Sequence, residues 1–154
     1  MVNSYDIKSN VELFSIGEHE FSNGNPGQIH VFSGIEIVPN MSYAFLVFQT
    51  NRITPAGGTD SWPQTAYGIS EILQSDLTTG PFEPIPAGAY FGNLATNSNL
   101  VYNFNTPYQM IGVLPTKQFL EITIITRTTI PFNGYMSTGT LFAIRGPQIV
   151  PGAS

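Results

Sequence analysis

A chain of 154 residues with 5 Lys/Arg and 10 Asp/Glu carries charge on only 10% of its positions, against about 25% in an ordinary soluble domain. Hydrophobic residues make up an ordinary 42% and the formal net charge is −5, so neutral polar residues, Gly and Pro have replaced charge, and charge-driven disorder is excluded. The longest apolar run, Tyr43 to Phe48, is six residues, far below the ~20 of a membrane-spanning helix.

Apolar residues alternate with polar ones nearly throughout, which predicts an all-β chain. The expected strands, in order, are Val11 to Ile16, Gln28 to Val38, Met41 to Arg52, Gln64 to Leu73, Ile85 to Phe91, Leu100 to Phe104, Gln109 to Leu114, Phe119 to Ile130 and Thr138 to Ile144. Asn23-Gly24-Asn25-Pro26-Gly27 combines residues that tolerate positive φ with a φ-locked proline and predicts a loop. Asn133-Gly134 is the preferred dipeptide of a type I′ turn and predicts a hairpin joining the strands that end near Ile130 and begin near Thr138, across a gap longer than two residues. In Leu120-Glu121-Ile122-Thr123-Ile124 one face is apolar and the other polar, whereas Tyr43 to Phe48 is apolar on both faces. The latter suits a central strand covered by a second layer or by a neighbouring subunit.

Eight or nine strands with Pro/Gly-rich turns predict an antiparallel two-sheet sandwich, with a jelly roll favoured over an immunoglobulin-like arrangement or a small barrel. A chain of this length forms one domain spanning residues 1–154, with residues 1–10 and 146–154 as extended arms. The C-terminal tail, which includes Ile149 and Val150, has no charge and is expected to lie on the chain itself or on a neighbour. Met1 to Lys8 lacks the basic and apolar stretches of a secretory signal, so a cytoplasmic start is expected.

Absence of cysteine excludes disulfides, thiolate metal sites and a cysteine nucleophile. Five scattered cations, Lys8, Arg52, Lys117, Arg127 and Arg145, make no stripe that could neutralise several phosphates, which argues against direct nucleic-acid binding. Glu18, Glu20 and His30 are the only crowded potential metal ligands, and a hairpin would have to bring His30 across to the two carboxylates. The plainer reading is a solvated strand end with no metal. Glu71, Asp76 and Glu83 fall in one neighbourhood but are expected to be solvated turn acids and not a glycosidase pair. No serine lies in a nucleophile-elbow sequence, so no catalytic residue and no cofactor is expected.

The segment Arg52 to Pro63 is too long for an idle turn and is the expected interface or ligand loop. It contains Trp62, the only tryptophan, between Asp60 and Pro63, with Tyr67 five residues on. Sugar rings stack on exposed aromatics, so Asp60, Trp62, Pro63 and Tyr67 define a carbohydrate-binding alternative. The competing expectation is that Trp62 plugs one end of the sandwich or a subunit contact.

So few charges leave the surface to Thr, Asn, Ser, Gln, Gly and apolar atoms, and residues 97–116 contain no Asp, Glu, Lys, Arg or His at all. Charge depletion with abundant aromatics (11 Phe and 7 Tyr) is the composition of an interface core. Short strands, loops such as Thr78-Thr79-Gly80-Pro81 and Pro84-Ile85-Pro86, and the uncharged C-terminal arm complete the pattern. In this texture the chain resembles small β-sandwich subunits of virus shells, including single jelly-roll coat proteins and the capsid-decorating proteins of tailed phages. The resemblance implies a structural role in a virion assembled in the host cytoplasm, with copies of itself or other shell proteins as partners and no reaction catalysed. The acidic balance favours an outer-shell or decorating position over a genome-lining one.

Overall fold

The computed structural model describes residues 14–23, 28–55, 65–92, 108–128 and 135–148. The described chain is all-β. Its strands are β1 (Phe14–Asn23), β2 (Ile29–Glu36), β3 (Ser42–Pro55), β4 (Thr65–Ser75), β5 (Glu83–Pro84), β6 (Tyr108–Val113), β7 (Phe119–Thr128) and β8 (Tyr135–Gly146). They form two antiparallel four-stranded sheets, β1-β8-β3-β6 and β2-β7-β4-β5.

The two sheets share one core, consistent with a two-sheet sandwich. In the first half of β7, Leu120, Ile122 and Ile124 are buried, while Glu121 and Thr123 between them are only partly covered. This is the alternation read from the sequence. Tyr43, Phe45 and Val47 of β3, with Ile111 and Val113 of β6, come from the opposite sheet to meet Ile69 and Ile72 of β4. The Val38 amide donates to Tyr43 Oη at 2.7 Å, so the one polar atom of that buried ring has a partner.

The pairs β1–β8, β2–β7, β3–β6 and β4–β5 are nested, as in one long hairpin folded over on itself. Of the connections between consecutive strands, only β4–β5 stays within a sheet. The expected hairpin between the last two strands is therefore corrected: β7 and β8 lie in different sheets, as do β1 and β2. Strand partners are chosen by how two apolar faces close on each other. Residues 133 and 134 themselves lie outside the described residues.

The expected strand Ile85 to Phe91 is also corrected: it is a 3-10 turn, Ala87–Ala89, followed by a single bridge at Tyr90. Pro84 and Pro86 lack the N–H donors a ladder needs, which limits β5 to two residues. The expected strand Leu100 to Phe104 lies outside the described residues, as do residues 1–10 of the expected N-terminal arm. β1 begins at Phe14 and runs on to Asn23, well past the expected end at Ile16.

Register shifts interrupt four strand pairs, one of them β3–β8 between Thr50 and Thr54. The β2–β7 register shifts between Phe32 and Ile35, where Gly34 takes φ +68°, a value disfavoured for a residue with a side chain. The β1–β8 register shifts between Ser15 and Gly17. In β4 the shift falls between Ile69 and Glu71, and the extra residue, Ser70, is buried with its hydroxyl donating to the Thr123 carbonyl at 3.1 Å.

Candidate interaction surface

β3 is an interior strand, flanked by β8 and β6. Because successive side chains point to opposite faces, burial of Tyr43, Phe45 and Val47 sends Ala44, Leu46 and Phe48 to the outer face of the sheet. Register then sets their neighbours. Leu46 stands opposite Phe142 of β8 on one side and Met110 of β6 on the other, and Ala44 stands opposite Ile144. The result is a continuous apolar strip across three strands. Met110 is 61% exposed and Phe48 38%, while Leu46, Phe142 and Ile144 are half-buried.

At the β1 side, Glu18 is opposite Phe142 and Glu20 is opposite Thr140, and both acids are exposed. The outer face of this sheet thus has an apolar centre with an acidic rim along its β1 edge. The run Tyr43 to Phe48 foretold this from one strand alone. The contributions of Met110 and Phe142 were not legible, because they join the strip only through strand register.

Inside the sandwich, aromatic rings from both sheets gather near one end. Phe21 of β1 lies 4.8 Å from His30 and 4.7 Å from Tyr67, and His19 lies 5.2 Å from Phe32. His30 Nε2 is buried and has no hydrogen-bond partner among the described residues, and desolvation lowers the imidazole pKa below its ordinary value. Tyr67, expected as part of an exposed sugar-binding set, is 4% exposed and packs in the core. Asp60, Trp62, Pro63, Ile149 and Val150 lie outside the described residues.

Glu18 and Glu20 share the outer face of β1, whereas His30 packs inward against Phe21. The candidate ligand set is thus divided between the outside and the inside of the sandwich, and no group of three His, Asp or Glu converges among the described residues.

Of the turn acids, Glu83 and Asp76 are drawn to one cation: Lys117 Nζ lies 2.7 Å from Glu83 Oε1 and 3.5 Å from Asp76 Oδ2. The hydrogen bond that Lys117 donates to Glu83, with Asp76 beside it, raises the Lys117 pKa. Glu71 is separately placed, exposed on β4. Its charge adds to burial in raising the pKa of Tyr90, whose hydroxyl donates to the Ile72 carbonyl at 3.3 Å. These contacts tie loops to strands.

Comparison with known proteins finds no matching family model, no matching curated protein and no matching solved structure. The residues themselves carry the functional reading.

Proposed function

We propose that this chain is a structural subunit of a virus particle or a comparable assembly, acting by self-association or by docking on a lattice, and that it catalyses no reaction. The observation that carries the reading is the apolar strip of Leu46, Phe48, Met110, Phe142 and Ile144 on the outer face of the sheet across β8, β3 and β6. Fully burying a Met or Phe side chain gains roughly 1.5–3 kcal/mol. A few such residues, together with the charge-poor surface around them, favour a covered over a solvated face. The nested strand pairing supports the finer reading of the sandwich as a jelly roll, an architecture used by capsid domains among others. The net charge of −5 supports an outer or decorating position, away from packaged nucleic acid.

The test is the mass distribution of the purified chain by light scattering as concentration rises, with electron microscopy of whatever forms. Self-association that Met110→Lys abolishes is the expected result. A wild-type chain that stays strictly monomeric at high concentration, alone and when mixed with preformed shells, would overturn the reading.

A further inference from the structure

Each sheet of an open sandwich has two edge strands, and an edge offers unpaired backbone N–H and C=O groups to any other strand. Three of the four edges here are defended. β1 carries the exposed acids Glu18 and Glu20, which repel a second acidic strand laid beside them. β5 is two residues long and contains Pro84. β6 is covered from outside by the chain at residues 89–91: the Phe91 amide donates to the Gly112 carbonyl and the Leu114 amide to the Ala89 carbonyl, both at 2.8 Å.

On β2 the bulge at Phe32/Ile35 and the exposed acid Glu36 lie at the C-terminal end, and among the described residues the stretch Ile29 to Phe32 carries no acid, no Pro and no covering segment. The strand is eight residues long, contains no Pro or Lys, and presents Ile29 and Val31 to solvent at 58% and 54% exposure. Its regular part, Ile29 to Phe32, pairs with Ile125 to Ile122 of β7, and no described strand lies on its other side. The two acids nearest this edge are held by neighbours within the sheet: Ser33 Oγ donates to Glu121 Oε2 at 2.9 Å, and Gln118 Nε2 donates to Glu36 Oε1 at 3.2 Å.

We propose that β2 is a second association edge, pairing antiparallel with β2 of a second copy about a two-fold axis within Ile29–Phe32. The occupant follows from self-complementarity. In that arrangement Ile29 and Val31 of the two copies meet on one face, His30 points inward in each, and Glu36 of either copy falls at the far end, so no like charges face one another. Two copies of the four-stranded β2-β7-β4-β5 sheet become one eight-stranded sheet. This contact deepens the assembly reading but uses a different surface from the Leu46–Met110 strip, so the two can fail separately.

The test is hydrogen exchange on the full chain at about 1 μM and about 100 μM, a range that spans the dissociation of a small, transient-sized contact. Amides within residues 29–32 that face the open edge should slow at least about tenfold at the higher concentration, reporting bonds to a second strand. Val31→Lys should abolish that protection, and Ile29→Lys serves as the second variant; circular dichroism establishes that each remains folded. Met110→Lys should leave the protection of β2 intact while removing association through the strip. Equal exchange of 29–32 at both concentrations, or protection that survives Val31→Lys and Ile29→Lys, overturns the β2 contact. Loss of β2 protection in Met110→Lys would also overturn it as an independent edge. A mass distribution insensitive to Met110→Lys counts instead against the strip.

Discussion

The ring of Phe21, from one sheet, meets the ring of Tyr67, from the other, edge to face, with centroids 4.7 Å apart and planes at 85°. The pair closes over Gly139 of β8. A methyl group added there would lie 2.7 Å from the Phe21 ring carbons and 2.9 Å from Tyr67 Cδ2. Since two buried rings from opposite layers must both give way, Gly139→Ala is expected to destabilise the fold by roughly 1–3 kcal/mol, the usual cost of overpacking a core. Urea unfolding curves of wild type and variant measure it; an unchanged midpoint would show that the rings can move apart without cost.

Phe45 and Met110 sit on adjacent strands and face opposite ways. Phe45 is fully buried and Met110 is 61% exposed. Phe45→Ala is expected to cost about 3–5 kcal/mol through lost transfer energy and a residual cavity. Met110→Lys should change monomer stability by no more than about 0.5 kcal/mol. Thermal unfolding of both variants under dilute conditions checks the contrast, and a large loss in Met110→Lys would mean that the strip is part of the monomer's own core.

His30 supplies a pH dependence. Burial against Phe21 holds its folded-state pKa below the unfolded value, so on acidification the unfolded chain takes up the proton first. The site therefore costs the fold nothing well above the ordinary histidine range. Stability then falls as the pH drops from about 6.5 toward the lower folded-state value, where the loss levels off. His30→Phe should remove this component of the slope, leaving a flatter dependence of Tm between neutral and mildly acidic pH. If wild type and variant lose stability in parallel, the imidazole is not the source.

Lys117 works in the opposite direction. Its pKa is raised by the hydrogen bond it donates to Glu83 and by Asp76, so its contribution is present at neutral pH and is lost only as pH climbs beyond the ordinary lysine range. Both carboxylates are well exposed, at 76% for Asp76 and 54% for Glu83, so solvent and salt screen the attraction. Lys117→Met should lower the urea midpoint slightly at low ionic strength, and the difference should shrink when salt is added. A salt-independent difference would assign the effect to packing of the lysine stem.

Strand identity was legible to a large degree in the sequence, because a period of two exposes which residues alternate between core and outside. Residues 120–124 of β7 and 43–47 of β3 bury the side chains that pattern predicts. The alternation of Tyr43 to Phe48 even carried half of the candidate surface, since an interior strand apolar on both sides has one side left over when the sandwich closes. Partnership was not legible. Asn133-Gly134 reads locally as a hairpin turn, yet β7 and β8 belong to different layers, and the metal set Glu18, Glu20 and His30 dissolves because β1 and β2 do as well. Tyr67, read as the strand neighbour of an exposed aromatic loop, is enclosed once β4 faces Phe21.

The amino-acid sequence by itself determined an all-β chain, poor in charge, whose surface would have to be apolar and neutral polar, because composition and alternation are properties of single residues and near neighbours. The tertiary structure alone decided that Leu46, Met110 and Phe142 form one strip, and that Ile29 to Phe32 of β2 has no strand beside it among the described residues other than β7. Those are relations between residues far apart in the chain, fixed by strand register and by which face each sheet turns toward the other, and no local pattern encodes them.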